Sequence, residues 1–251
     1  MTDLKTTFKS LIGVMHVEFN RPSTFNSLSP DLLHELIDLC NFIKNDDDIR
    51  VVVLEGSEEN FSSGADLPSF QKILVSDPRE AADLGRVATE TLSSLPQITI
   101  AAIQGHCIGG AMVLASACDI RIASDNSSFF IPELDAGIPL TWGGLDYLVR
   151  LVGFSFATDL VTTCRKFDAN EAYDIGFISR VIKNEDFKKE SAGLARTIGK
   201  KPEMALKITK QQLISIRNGN YNSKEDGELM LKSLASPEDK EANKKYVKKL
   251  S

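Results

Sequence analysis

The sequence predicts an α/β fold followed by a helical C-terminal region, and three observations support this prediction. Short segments are continuously apolar and rich in β-branched residues, as in residues 51–54. Segments with helical apolar spacing alternate with them, and from residue 186 onward only helical patterns remain. Continuous apolar runs are typical of strands that are buried on both faces of a parallel sheet. Strands that alternate with helices indicate an α/β architecture.

The elements of the first part follow from local signals. The apolar-rich residues 12–20 predict a strand, which Arg21-Pro22 ends. Ser29 and Pro30 predict a helix start, because serine is a preferred N-cap and proline suits the first helical position. Apolar residues then recur at helical spacing: Leu32, Leu33, Leu36, Ile37 and Cys40. The later strands are predicted over residues 51–54, 98–103 and 119–123, and the later helices within 78–95, from near Gly109 and over 145–152.

The last quarter of the chain differs from the rest. Its predicted helices cover residues 187–198, 202–216, 223–234 and 237–250. We therefore divide the chain into a catalytic core of residues 1–185 and a helical region of residues 186–251. Because the helices of the second region have exposed faces, we expect them to make contacts in an oligomer.

The composition is that of an ordinary globular protein, with 42% hydrophobic and 25% charged residues. The net charge of −6 provides no basic field for nucleic acid or anionic lipid. No apolar run is long enough to span a bilayer, and the first residues lack the apolar core of a signal peptide. The four cysteines show neither CxxC pairing nor zinc-ligand spacing. We expect a cytoplasmic protein without a metal site, a nucleic-acid partner or a membrane partner.

Two glycines mark the first candidate site. The predicted strand 98–103 runs into Gly105, and Gly109 and Gly110 open the next helix. The first turn of a helix leaves N–H groups without internal partners, at the positive end of the helix dipole. Glycine also lets the backbone approach a ligand closely. The pair therefore predicts a place for an oxyanion, or alternatively serves only tight packing of strand and helix.

A second loop of small residues, 61–67, also follows a buried strand. It can supply a second N–H group to the same oxyanion. Two such donors would stabilise the enolate of a thioester, each by about 3 kcal/mol. The alternative interpretation is a simple turn in which Asp66 is the N-cap of a helix.

Glu133 is the third candidate. It follows Pro132 and lies among apolar residues, in a segment with the composition of a buried one. A buried carboxylate is costly unless it is paired or functional, and burial raises its pKa toward the range of a general base. The alternative is a glutamate that hydrogen-bonds to the neighbouring backbone.

Together and in this order, these segments resemble the crotonase superfamily of enoyl-CoA hydratases and isomerases, over nearly the whole chain. The matching marks are Asn20-Arg21-Pro22, Asn26-Ser27-Leu28, Ser63-Gly64-Ala65-Asp66-Leu67, Gln104-Gly105 with Ile108-Gly109-Gly110, Cys118-Asp119-Ile120-Arg121, Pro132-Glu133 with Gly137-Ile138-Pro139, and Ala169-Asn170-Glu171-Ala172 with Gly176-Phe177-Ile178. The resemblance implies a spiral of ββα units, followed by a helical trimerisation region that forms trimers or paired trimers.

The resemblance also implies roles for particular residues. The N–H groups of Ala65 and Gly110 would form the oxyanion hole for a thioester carbonyl. Ala65, Asp66 and Leu67 would border coenzyme A, and Lys249 would meet its phosphates. Coenzyme A is then part of an acyl-CoA substrate, and no separate cofactor is expected.

The chain departs from the hydratases of this superfamily at one acid. Their first glutamate lies three residues beyond the oxyanion glycine, where this chain has Val113, and the acid of dienoyl isomerases falls on Thr141. A single base, Glu133, favours shifting a double bond from Δ3 to Δ2, which needs one proton moved. The alternatives are an enoyl-CoA hydratase and a non-catalytic acyl-CoA-binding protein. Trp142 is expected to line the acyl pocket, and His106 to be structural.

Overall fold

The computed structural model of the chain describes residues 2–9 and 12–250. Within these residues, strands form a larger and a smaller sheet. The larger sheet has the order β1 (Leu4–Lys9), β2 (Val14–Phe19), β3 (Val51–Gly56), β4 (Ile98–Ile103), β6 (Ile120–Ser124) and β9 (Arg180–Ile182). The smaller sheet has the order β5 (His106–Ile108), β7 (Ser128–Phe130) and β8 (Phe167–Asp168). β1 pairs antiparallel with β2, and every other pair in the larger sheet is parallel.

Helices connect the strands and form the C-terminal region. They are α1 (Pro30–Ile43), α2 (Leu67–Ser76), α3 (Pro78–Ser93), α4 (Gly110–Ala117), α5 (Gly144–Thr163), α6 (Ala169–Asp174), α7 (Phe187–Gly199), α8 (Glu203–Arg217), α9 (Asp226–Ala235) and α10 (Pro237–Leu250). The order β4-β5-α4 is followed by β6-β7-α5, with the first strand of each unit in the larger sheet and the second in the smaller one. This repeat is the spiral of ββα units. None of the described helices combines the length and apolar character needed to cross a bilayer.

The larger sheet is buried on both faces, which explains its apolar strands. In β3, Val52 and Leu54 belong to the main core, while Val51 and Val53 pack on the other face. That second face is covered by α7, through side chains such as Phe187. Each such side chain stabilises the fold by about 1.5–3 kcal/mol when fully buried. Since both faces are covered, the strand needs no polar alternation.

The structure confirms the predicted strands at residues 51–54 and 98–103 and the start of α1. The hydroxyl of Ser29 accepts a hydrogen bond from the N–H of Leu32, as expected of an N-cap. β1 and α2 were not predicted. Most described side chains of β1 are exposed, because it is an edge strand, so it shows no apolar run. α2 was missed although its apolar residues Leu67, Phe70 and Leu74 fall at helical spacing, and none of its residues is fully buried.

The C-terminal helices pack on the core of the protein. Among the described residues, no strand follows β9, as the sequence predicted. Lys210 of α8 is fully buried and forms an ion pair with Asp119, next to the start of β6. The division at residue 186 stays a prediction, and its end residues Met1 and Ser251 lie outside the described part of the chain.

Candidate active site

An apolar cavity of about 420 Å³ lies between α2, α3, the start of α4 and the segment from residue 133 to 142. Its lining residues are Ala65, Leu67, Phe70, Gln71, Leu74, Ala81, Ala82, Gly110, Val113, Glu133, Ala136, Ile138, Pro139, Leu140, Thr141 and Trp142. Four residues predicted for the site, Ala65, Leu67, Gly110 and Glu133, therefore share one cavity. Asp66 and Lys249 are absent from its wall. Among these lining residues, all of which the structure describes, only Glu133 is ionisable in the physiological range.

The N–H of Ala65 is directed by a short parallel pairing with Leu28. Leu28 donates its N–H to the carbonyl of Gly64 at 2.8 Å, and Asp66 donates to the carbonyl of Leu28 at 3.0 Å. Because neighbouring peptide groups in an extended segment alternate in direction, the N–H of Ala65 faces away from Leu28. Among the hydrogen bonds of the described residues, this N–H has no acceptor. It is therefore available to a ligand.

The N–H of Gly110 opens α4, at the positive end of the helix dipole. The loop that carries Ala65 approaches it at Gly64, which has a φ of +90°. A methyl group on Gly64 would lie 2.6 Å from the carbonyl oxygen of Ile108 and 3.7 Å from the nitrogen of Gly110. The two segments therefore meet where only glycine fits, which brings the amides of Ala65 and Gly110 into the same region of the cavity.

The carboxylate of Glu133 lies against Gly109, the residue that precedes Gly110. A methyl group on Gly109 would lie 2.6 Å from Oε1 of Glu133. Oε2 is buried and, among the described residues, has no hydrogen-bond partner. Burial raises the pKa of Glu133 above its ordinary value, and its own main-chain N–H offsets part of this effect. The backbone interaction predicted by the structural alternative is therefore present, but it leaves Oε2 without a donor among the described residues, and this free oxygen suits a proton acceptor.

Asp66 supports the loop instead of facing the cavity. Its carboxylate accepts hydrogen bonds from Nη2 of Arg21 at 2.9 Å and from the N–H of Ser69 at 3.2 Å. Burial alone would raise the pKa of Asp66, but the hydrogen bonds from Arg21 and Ser69 outweigh burial and hold the pKa below its usual value. Arg21 also donates to the carbonyl of Ser27 at 2.6 Å. Asp66 thus caps α2 and fixes the segment that directs the N–H of Ala65.

Asn26 explains a second mark of the resemblance. The residue is fully buried, and its side-chain nitrogen donates to the carbonyls of Ser57 at 3.0 Å and Asn60 at 2.7 Å. Its side-chain oxygen accepts from the N–H of Arg21 and from the hydroxyl of Ser57. These bonds join the segment after β2 to the segment after β3. The motif is therefore structural support for the loop of Ala65.

Trp142 lines the cavity, as the sequence predicted, but its partner in α3 was not predicted. Its indole lies between the α-carbons of Gly85 and Gly110, and a methyl group at either position would overlap the ring. The backbone of Trp142 has a φ of 58°, which costs a bulky residue on the order of 1–3 kcal/mol. The hydroxyl of Thr89 lies 3.0 Å from the carbonyl of Trp142 and donates to it. Only an isolated glycine inside the predicted helix 78–95 could have signalled this contact.

The structure also locates the other residues that the sequence analysis considered for the reaction or for binding. Val113 and Thr141 both line the cavity, so neither position of the missing acids supplies a carboxylate. His106 is exposed and packs edge-on against Phe25, with ring centroids 6.2 Å apart. Lys249 lies exposed in the last turn of α10. A contact of Lys249 with coenzyme A therefore stays a prediction.

This fold, with a cavity that joins a helix amino terminus to a buried glutamate, is that of a crotonase-type enzyme. A family model described as enoyl-CoA hydratase/isomerase matches residues 10–251, and the chain belongs to this family. Both reactions are represented among its relatives. The chain is 34% identical to a short-chain-enoyl-CoA hydratase of Clostridium acetobutylicum over 198 residues, which are 78% of this chain and 76% of that protein.

Two further comparisons agree with this assignment. The mitochondrial Delta(3,5)-Delta(2,4)-dienoyl-CoA isomerase of Rattus norvegicus is 33% identical over 228 residues, which are 85% of this chain and 69% of the isomerase. The crystal structure of an enoyl-CoA hydratase from Bacillus anthracis superposes with a TM-score of 0.90 at 27% identity. That match covers 98% of this chain and 96% of the hydratase chain.

Proposed function

We propose that this enzyme moves the double bond of an unsaturated acyl-CoA thioester from Δ3 to Δ2, with Glu133 as its single acid–base residue. One observation carries the proposal: Glu133 is the sole residue of the cavity wall, as described, that can exchange a proton near neutral pH. An isomerisation of this kind moves one proton between two carbons and consumes no water. A single carboxylate is sufficient for both halves of the reaction.

The proposed reaction proceeds through an enolate. The thioester oxygen binds the N–H groups of Ala65 and Gly110, and Glu133 removes a proton from C2. The electron pair of the broken C–H bond is delocalised to the thioester oxygen, which gives a dienolate. Glu133 then returns the proton to C4, and the double bond remains between C2 and C3. Each N–H donor contributes about 3 kcal/mol, and general base catalysis contributes about 10²–10⁴-fold.

Hydration of a 2-enoyl thioester is the second candidate function. It is favoured by the 34% identity to the short-chain-enoyl-CoA hydratase. Hydration has to activate water and deliver a proton to carbon, which two carboxylates can divide. In this chain Val113 stands where the hydratases have the glutamate three residues beyond the oxyanion glycine, and its side chain lines the cavity and cannot exchange a proton. This difference is the reason for preferring isomerisation.

The proposal includes the surroundings of the reaction. Coenzyme A would be part of the substrate, without a separate cofactor, and Lys249 would approach its phosphates.

We also propose a homotrimer or hexamer, because α9 and α10 expose large apolar side chains that a second copy of the chain could cover. These side chains are Met230, Leu231, Tyr246, Val247 and Leu250. The cytoplasmic location rests on the four cysteines, all described, which are free thiols.

The two candidate reactions can be separated by product. Purified enzyme is incubated with a 3-enoyl thioester and, separately, with the 2-enoyl isomer in H₂¹⁸O. The products are separated by liquid chromatography and identified by mass and by the ultraviolet absorbance of the conjugated 2-enoyl thioester. We expect conversion of the 3-enoyl thioester without a gain in mass. Faster incorporation of ¹⁸O into the 2-enoyl thioester would favour the hydratase. Binding of both thioesters without turnover would contradict both reactions.

A further inference from the structure

A second feature of the cavity concerns which acyl groups it accepts. The indole of Trp142 fills the gap between α3 and α4. A methyl group on Gly110 would lie 2.5 Å from Cζ3 of Trp142, and one on Gly85 would overlap the fused ring bond. The indole thus contacts two helix backbones, at positions where only glycine leaves room for it.

Contacts on several sides hold this indole in place. The ring of Phe70 lies 5.9 Å from it, measured between centroids. The hydroxyl of the buried Thr89 donates to the carbonyl of Trp142 at 3.0 Å and also lies within hydrogen-bond distance of the carbonyl of Gly85. The same hydroxyl therefore joins the backbone of Trp142 to α3. Trp142 is a fixed part of the wall, because its backbone and its ring are both held.

The position of Gly85 shows what the indole covers. Ala81 and Ala82 line the cavity from the first turns of α3, and Gly85 follows them by one turn on the same helix face. Without the indole, the cavity would continue along this face, over Gly85 and toward Thr89. Ala81, Ala82 and Gly85, which lie along this path before Thr89, have small side chains or none. Trp142 therefore ends a channel that α3 would otherwise leave open.

We propose that Trp142 is the specificity-determining residue of the acyl pocket, and that it excludes long acyl chains by closing the space between α3 and α4. The acyl group accepted beside it is apolar, since the wall around it carries no charge except Glu133. The turnover assay of this inference rests on the proposed function, whereas its binding assay is independent of that function.

The test compares wild type, Trp142→Phe and Trp142→Ala with hexenoyl and dodecenoyl thioesters. We expect the ratio of kcat/KM for the longer over the shorter substrate to rise stepwise, by about tenfold or more in Trp142→Ala. The dissociation constants of the saturated hexanoyl and dodecanoyl thioesters, measured by calorimetry, should shift in the same direction. An unchanged ratio in both variants would overturn the inference. Absence of turnover in wild type would count against the proposed function, while the binding ratios still decide this one.

A second measurement tests the contact itself and does not depend on any ligand. Gly85→Ala should lower the Tm in the wild-type background, by about 4 °C or more, because the new methyl group overlaps the indole. In the Trp142→Ala background the same substitution should raise the Tm, because alanine is the better helix former and the space is empty. The same sign in both backgrounds would show that Trp142 does not occupy this gap, and would overturn the inference.

Discussion

The α-carbon of Gly109 lies against the carboxylate of Glu133. A methyl group at this position would lie 2.6 Å from Oε1. Gly109 has a φ of 51° and a ψ of −119°, and it is the N-cap of α4, whose first residue is Gly110. One glycine therefore sets the distance between the proposed base and the proposed oxyanion hole. This contact joins two segments that lie more than twenty residues apart in the sequence.

Gly109→Ala should damage stability and turnover together. The substitution forces an L-residue into a conformation that favours glycine, at a cost of about 1–3 kcal/mol, and displaces the carboxylate of Glu133. The free energy of unfolding by urea and the kcat for the 3-enoyl thioester measure the two effects. Gly219→Ala is the matched control, because Gly219 also has a positive φ but open space around it. If Gly109→Ala lost no more turnover than Gly219→Ala, the described contact would be wrong.

Glu133→Gln should abolish proton transfer while leaving substrate binding nearly intact. The amide has the shape of the carboxylate but cannot accept the proton from C2. We expect kcat to fall by about 10²–10⁴-fold, with a change of less than about threefold in the dissociation constant of the thioester. Asp135→Asn removes a neighbouring exposed carboxylate and should retain full turnover. Equal losses in the two variants would point to a general effect of charge in this segment.

The raised pKa of Glu133 predicts a pH dependence of stability with a definite sign. The folded protein binds the proton of Glu133 more tightly than the unfolded chain does, because burial disfavours the carboxylate. Stability is therefore lost as the pH rises from the unfolded pKa through the folded pKa. Glu133→Gln has no such loss, so its Tm should exceed that of wild type at neutral pH. The difference should shrink on acidification below the ordinary pKa of glutamate.

The pH dependence of turnover should also be set by Glu133, but turnover should increase with pH where stability decreases. Because only the carboxylate accepts a proton, kcat/KM of wild type should decrease as the pH falls through the raised pKa of Glu133. The decrease should occur at a higher pH than that at which an exposed glutamate protonates. For the stability measurement described above, the contradicting outcome is a wild type that is more stable than Glu133→Gln at neutral pH, which would show that the carboxylate is not both buried and unpaired.

Arg21→Gln should loosen the loop of Ala65 without touching the cavity. It removes the charged hydrogen bonds to Asp66 and to the carbonyl of Ser27, for which we expect a loss of about 1–3 kcal/mol in unfolding free energy. The lowered pKa of Asp66 means that this stabilisation is present above its unfolded pKa and is lost as the pH falls through its folded pKa. Urea unfolding between acid and neutral pH should therefore show a flatter profile in the variant.

A surface pair provides the control for this experiment. Arg79 is exposed and pairs with Asp83 within α3. Exposed ion pairs contribute little, so Arg79→Gln should change neither the stability nor its pH profile appreciably. A loss in Arg79→Gln as large as that in Arg21→Gln would show that the Arg21 network has no special importance for the loop.

The sequence predicts the parts of this site that depend on local signals. Gly109 and Gly110 after an apolar strand, and Glu133 after a proline, can each be recognised from their neighbours. The contact between Gly85 and Trp142 cannot, because it joins residues far apart in the chain: a glycine inside a predicted helix signals a close approach but does not identify the partner. β1 was missed because its described side chains are mostly exposed, so no apolar run marks it. α2 was missed although Leu67, Phe70 and Leu74 fall at helical spacing.

The buried ion pair between Lys210 and Asp119 limits where the chain can be truncated or recombined with another protein. Asp119 also accepts a hydrogen bond from the N–H of Thr99, so the lysine of α8 neutralises a charge directly before β6, an interior strand of the larger sheet. A shortened chain that ended before α8 would leave this acid without its counter-charge. Trimming or domain exchange should therefore keep α8, and it should also keep the start of α10, where Glu238 pairs with Arg50 directly before β3.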